Sequence, residues 1–259
     1  VLCEKPIASN LAEAKQFMRI ATNAKTKVLV GHILRHNQTY QKVAEMIHNG
    51  AIGSPIVMRM AQLKRTVEQW PTHLAILQDV SPLVDCGVHY IDVMRWVTGA
   101  EVTCVSGMGQ RLAQDIPEQT YNYGMIQMKF SDGSIGYYEA GWGQCMQNEN
   151  LKEFIGPKGR IRIIYKSQRQ SDQHLGNLIV YEQFPSGVQE EINIDYNVKP
   201  TGAQLTYLLR MIDENIDHRP FLNEVFHAME ITLAADKAIH EERTIQLQHP
   251  MLDLVPVQV

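Results

Sequence analysis

Apolar residues near the start of this chain recur at helical spacing. Ser9-Asn10 precedes Leu11, Ala14, Phe17, Met18 and Ala21, and polar capping residues followed by such a stripe predict an amphipathic helix. Val1-Leu2-Cys3 reads as the tail of a strand, and Val28-Leu29-Val30 as a short buried strand ending at Gly31. Tyr40, Val43, Met46 and Ile47 predict a second helix, stopped by Asn49-Gly50. Strand–helix–strand–helix is the pattern of a parallel sheet covered by helices.

The pattern changes after Gly53. Strands are predicted at 55–63, 102–108, 123–130, 135–142, 153–155, 161–165, 178–184 and 189–194. Ser131-Asp132-Gly133, Gly156-Pro157-Lys158-Gly159 and Pro185-Ser186-Gly187 supply turns between them. A helix is predicted at 85–97, closed by Gly99, and two more at 202–216 and 224–240. Residues 64–82, with Trp70 and His73, read as a loop suited to a variable lid, and the residues from Gln248 as an extended tail. Met58, Met60, Met125 and Met128 alternate at strand spacing and read as packing on a sheet face. The class is α/β (α+β): a partial doubly wound unit feeding a large, mostly antiparallel open sheet with helices on one face.

Composition narrows the function. A length of 259 residues, 44% hydrophobic and 20% charged, is ordinary for a globular protein. A net charge of −4 with no basic run argues against nucleic acid or an anionic membrane as partner. No apolar run approaches the ~20 residues that cross a bilayer. Cys3, Cys86, Cys104 and Cys145 form no CxxC pair, which argues against structural zinc and redox motifs and for a reduced, cytoplasmic setting. The chain opens on apolar Val1 without an initiator Met, so the strand it begins in is expected to start further upstream.

Three segments carry candidate chemistry. Glu4-Lys5-Pro6 follows a strand, where ligands of open α/β sheets bind; Lys5 there is either a hydrogen-bond donor to a substrate hydroxyl or a surface lysine in an ordinary turn. Asp85-Cys86-Gly87-Val88-His89-Tyr90-Ile91-Asp92 puts Asp85, His89 and Asp92 on one helix face. A carboxylate beside an imidazole raises its proton affinity and suits it to act as a general base, and Gly87 leaves room for a flat ligand. The alternative is that Asp85 caps a helix and His89 is a satisfied buried histidine. Gly31-His32-Ile33-Leu34-Arg35-His36-Asn37 again lies past a strand end, with His32 suited to a substrate wall and Arg35 to a structural or anion-binding role. Metal on His32 and His36 lacks a nearby carboxylate or cysteine in sequence.

Together these segments resemble the glucose-fructose oxidoreductase/inositol dehydrogenase/rhizopine-catabolism (Gfo/Idh/MocA) family. The similarity rests on Glu4-Lys5-Pro6, on Gly31 through Gln38, on Asp85-x-Gly87-x-His89-x-x-Asp92, and on the turn Gly156-Pro157-Lys158-Gly159. His36 and Gln38 depart from the family's Phe and Pro. The resemblance implies that residues 1–36 are the end of a Rossmann NAD(P)-binding domain, and 37–259 a domain for substrate and subunit contacts. It implies Lys5, Asp85 and His89 as catalytic residues, with Glu4, Lys5 and Pro6 at the cofactor and His32, Arg35, Asp85 and His89 at the substrate. It further implies NAD or NADP as cofactor, a sugar, inositol or related polyol as substrate, and a homodimer or homotetramer built through the sheet. The phosphate-binding GxGxxG is absent from this sequence. The alternatives are a non-catalytic sugar-binding or oligomerisation module, and a metal-dependent lyase using His32, His36 and His89.

Overall fold

The computed structural model describes residues 1–169, 176–195 and 199–248; the tail expected from Gln248 lies, beyond that residue, outside them. Leu2–Cys3 (β1) and Leu29–Val30 (β2) pair in parallel, with Cys3 opposite Val30. Between them Leu11–Thr22 (α1) starts at Asn10, whose side chain accepts from the Glu13 amide at 3.0 Å. Gln38–His48 (α2) starts at Asn37 in the same manner, and the chain turns away at Gly50, where φ is +78°.

The remaining strands form one nine-stranded sheet. They are Val57–Arg65 (β3), Val102–Gln110 (β4), Tyr123–Phe130 (β5), Ile135–Gly143 (β6), Glu149–Gly156 (β7), Gly159–Ile164 (β8), Asn177–Gln183 (β9), Gln189–Ile194 (β10) and Ile245–Gln246 (β11). Their order is β10-β9-β8-β7-β3-β6-β5-β4-β11. Every neighbouring pair is antiparallel except β3–β6, which is parallel. All eight strands read from the spacing are present. The two-residue β11 is too short to show a period.

The helices are Trp70–Ile76 (α3), Val88–Thr98 (α4), Thr201–Asp213 (α5) and Arg219–His240 (α6). The main core lies between the sheet and the helices on one face, with Met58, Met60, Ile126, Met128, Tyr138 and Phe154 meeting Tyr40, Ile91, Met94 and Ile231. A second core joins α1 and β2 to α6 through Met18, Val30, Leu222 and Met229. Burial of such side chains, roughly 25 cal/mol per Å² of apolar surface, is the main force holding the layers together.

Two local readings need correction. Residues 64–82 are no open loop: β3 runs to Arg65, and α3 is pinned where Trp70 joins Leu77, Ile116 and Trp142 and donates to Asp115 at 2.7 Å. Apolar Trp70 and Leu74 have a surface to cover, which outweighs the loop-like polarity around them. Met125 lies on the uncovered face of the sheet, opposite Met108, one residue out of phase with buried Ile126 and Met128. That face carries a row of alternating charges, Arg59–Glu153 at 2.6 Å and Arg160–Glu182 at 2.6 Å, beside Tyr123 and Tyr137, which both donate to Glu139.

Candidate active site

The two parallel strands deliver the first two segments to one place. Lys5 and Pro6 follow β1, and His32 follows β2. The Gly31 amide donates to Cys3 at 2.8 Å, and a Cβ on Gly31 would come within 2.9 Å of Glu4 Oε2. The backbone bond from Gly31 to Cys3 holds Glu4-Lys5-Pro6 against the turn carrying His32, and the Glu4 carboxylate packs over the glycine.

Lys5 reaches the third segment. Its Nζ donates to the Asp85 carbonyl at 2.8 Å and to Asp85 Oδ1 at 3.1 Å. Asp85 sits in a π-helical turn, Leu83–Gly87, that runs directly into α4. The i, i+4 spacing expects Asp85 beside His89. The wider π turn breaks that spacing, and the Asp85 carboxylate is turned to Lys5 instead. Gly87 leaves no room for a ligand either: a Cβ there would lie 2.9 Å from Leu83 Cδ1 and 3.0 Å from Tyr138 Cε1. Its smallness lets the turn pack on β6.

His89 is half-buried, with Nδ1 sealed and without a hydrogen-bond partner among the described residues. His32 stands edge-on to it, the ring centroids 5.8 Å apart and the planes at 83°. Burial drives the His89 pKa well below the usual histidine range, His32 and Lys5 push the same way, and Asp92 opposes them. The expectation of an imidazole with raised proton affinity is therefore reversed. The carboxylate that acts on it is Asp92, and desolvation outweighs it.

Behind His32 lies a buried ion pair. Arg35 grips Asp92 with both arms, Nε to Oδ2 and Nη2 to Oδ1, each at 2.8 Å. His32 Nδ1 lies 3.3 Å from Asp92 Oδ2, and Asp92 is 1% exposed. Glu224 extends the chain of charges, 3.5 Å from Arg35 and 2.8 Å from Arg95, which in turn meets Glu101 at 2.6 Å. Although the Asp92 carboxylate is buried, His32 and Arg35 hold its pKa far below the ordinary range. Of the structural and anion-binding roles read for Arg35, the contacts are those of the structural one: its guanidinium is committed to Asp92 and lies over the Trp96 and Phe221 rings, while the substrate role implied by the resemblance has no contact here to carry it.

One buried group, Lys152, goes unseen in the sequence reading, and Cys86 is named there only as a cysteine without a pairing motif. Lys152, wholly buried, donates to the Ala61 carbonyl and to Asn150 Oδ1, both at 2.7 Å, and lies 4.2 Å from the centre of the Tyr90 ring. Strand alternation places it on the face of Phe154, a signal that was present. Cys86 donates to Asp85 Oδ2 at 3.4 Å, and burial pushes its thiol up to about 12, so it is inert as a nucleophile. His36 packs on Tyr207, and the described residues contain no group of three or more His, Cys, Asp or Glu placed to hold a metal. No described helix is long and apolar enough to cross a membrane.

Residues 40–162 match the family model described as the GFO/IDH/MocA C-terminal domain. The chain is similar to a myo-inositol 2-dehydrogenase of Thermotoga maritima, 25% identical over 164 residues, covering 62% of this chain and 48% of that protein. A scyllo-inositol 2-dehydrogenase (NAD(+)) of Bacillus subtilis is 27% identical over 165 residues, covering 63% and 47%. The chain spans about half the length of these curated relatives. Among solved structures, scyllo-inositol dehydrogenase of Lactobacillus casei with NAD(H) and scyllo-inositol aligns with a TM-score of 0.69 at 21% identity, covering 95% of this chain and 72% of that one. Aldose-aldose oxidoreductase of Caulobacter crescentus, complexed with glycerol, aligns with a TM-score of 0.78 at 20% identity, covering 95% and 72%. At this identity the likeness shows the fold.

Proposed function

We propose that the protein, whose residues 40–162 match the GFO/IDH/MocA C-terminal domain model, is an NAD(P)-dependent dehydrogenase of the Gfo/Idh/MocA type acting on a CH–OH group of a sugar, inositol or related polyol. The observation that carries this reading is the Lys5 ammonium held on Asp85 close enough to His89 to act on its charge, with burial keeping that ring neutral. Residues 1–36 supply the end of the nucleotide-binding domain, and 37–259 the substrate domain.

The residues present suit the nicotinamide end of the cofactor. Glu4, Lys5 and Pro6 follow the carboxyl end of a parallel strand, the crevice where open α/β sheets bind ligands, and Gly31 keeps the neighbouring turn tight against them. When bound, the nicotinamide supplies the hydride chemistry. The chain's own residues manage position and proton. Lys5, steadied by Asp85, donates to the reacting oxygen of the substrate and stabilises negative charge on it. His89, held neutral, takes the hydroxyl proton at Nε2, since Nδ1 is sealed. His32 lines the wall behind it.

The uncovered sheet face supports subunit contact within a homodimer or homotetramer, with Met108 at 73% and Ile135 at 49% exposure beside Tyr137. Sedimentation of the wild type against Met108→Asp tests it; an unchanged oligomer overturns that surface as the contact.

The activity test uses the full-length protein. NAD and NADP are titrated by calorimetry, and oxidation of myo-inositol, scyllo-inositol and aldoses is followed by reduced-nicotinamide absorbance. Lys5→Ala is expected to lower turnover by about 10²–10⁴-fold. Unchanged turnover on a substrate the wild type oxidises removes Lys5 from the mechanism.

A further inference from the structure

His32 reads from sequence as a wall residue, yet its contacts point inward. Its amide donates to the Val30 carbonyl at 2.7 Å, which fixes the backbone just past β2. One edge of the ring faces Asp92 at 3.3 Å, and the ring meets Phe221 at 6.5 Å and His89 at 5.8 Å, both near perpendicular. The residue is 1% exposed. Asp92 is itself clamped by Arg35 through two hydrogen bonds, while His32 Nδ1, which makes no hydrogen bond among the described residues, lies beside it at 3.3 Å.

We propose that His32 is a positioning residue for His89: set 3.3 Å from Asp92 and edge-on to the His89 ring, it fixes that ring and biases which proton state His89 presents to a substrate hydroxyl. The inference rests on the dehydrogenase reading for its purpose, though not for its physics. The groups that face His89 are His32 from the turn after β2, Lys5 from the turn after β1, Asp92 from its own helix, and Lys199 from the segment before α5. Three of these four favour the neutral ring. His32 is the one in ring contact, and Asp92 pulls the other way. Removing His32 takes away the nearest of the charged groups that oppose Asp92, while burial, Lys5 and Lys199 remain, and the balance shifts toward imidazolium.

Two substitutions separate this role from packing. His32→Asn keeps a donor near the Nδ1 position for Asp92 and loses the ring. His32→Phe keeps the edge-on ring and loses the donor; neither can carry a proton's charge. Full-length protein labelled with ¹³C-histidine is titrated by NMR, and His89→Gln assigns the His89 signal. The wild-type midpoint is expected below 6.5, and in both variants it rises by about one pH unit. A midpoint that moves in neither variant overturns the proposal, whatever happens to thermal stability. In parallel, the acid limb of kcat/KM against pH, measured with myo-inositol and NAD, moves up with the midpoint while KM stays within about twofold. If the NMR midpoint moves but no inositol or aldose is turned over with either nucleotide, the dehydrogenase reading fails and the role of His32 stands. Turnover with an unmoved midpoint does the reverse: the dehydrogenase reading stands and the role of His32 fails.

Discussion

The Lys5 ammonium is tied twice to Asp85, 80 positions away in sequence, through the backbone carbonyl at 2.8 Å and the carboxylate at 3.1 Å. The carbonyl bond fixes where the ammonium sits, and the carboxylate adds charge. Asp85→Asn keeps the first and weakens the second. In full-length protein this substitution is expected to lower kcat by about tenfold to a hundredfold with little change in melting temperature. A fall in stability with unchanged kcat reverses the assignment.

Asp92 and Arg35 form a buried bidentate pair, and removing one partner leaves the other charge uncompensated. Asp92→Ala is expected to cost about 3–5 kcal/mol in urea denaturation. Arg35→Lys, which cannot reproduce the planar fork, is expected to cost less but remain measurable. Additivity of the two in the double variant would show that they do not act as a pair.

Acid sensitivity follows from the same residues. His89 titrates in the folded protein well below its ordinary 6.5, so the unfolded chain binds more protons there and stability falls as pH drops below about 6.5. Asp92 also has its pKa depressed, from an ordinary 3.8; its contribution is complete above that value and is lost as pH falls through the folded value. Melting temperature is therefore expected to decline from pH 7 to pH 5, and His89→Gln to flatten that limb. A wild-type curve flat over this range is the contrary result.

Lys152 is fully buried with no described carboxylate in contact, and desolvation lowers its pKa well below the ordinary lysine range. Two hydrogen bonds and an aromatic face compensate only in part. Lys152→Met fills the same space without the desolvation cost and is expected to stabilise by about 1 kcal/mol. Lys152→Ala opens a cavity and is expected to cost about 2 kcal/mol or more. Equal losses in both variants would mean that the ammonium's bonds to Ala61 and Asn150 outweigh its burial.

The strands were legible because alternation, turn residues and short spacing agree along 102–194, and Asn10, Asn49-Gly50 and Gly99 mark helix ends. The grouping of Lys5 with Asp85 was also legible, through the family resemblance that set a strand-end lysine beside a helix-borne aspartate. What the chain could not disclose is how residue 85 is rotated. The π turn is set by the packing of Gly87 on Tyr138, a contact across 51 positions that no local period encodes. The same holds for Arg35 and Asp92, 57 positions apart, where composition gives two charges and only the fold makes them one buried pair.

The parallel pairing of β3 with β6 constrains how this protein assembles. β3 is the earliest strand of the large sheet, yet its two neighbours, β6 and β7, both come after it in sequence. It cannot close by zipping to an adjacent hairpin; it must be captured by strands made later. Successive hairpins can form β4–β6 and β7–β10 locally, but joining them waits on a segment from nearer the start of the chain. During synthesis the central rib of the molecule is therefore laid down first and locked in place only after residue 156 has emerged.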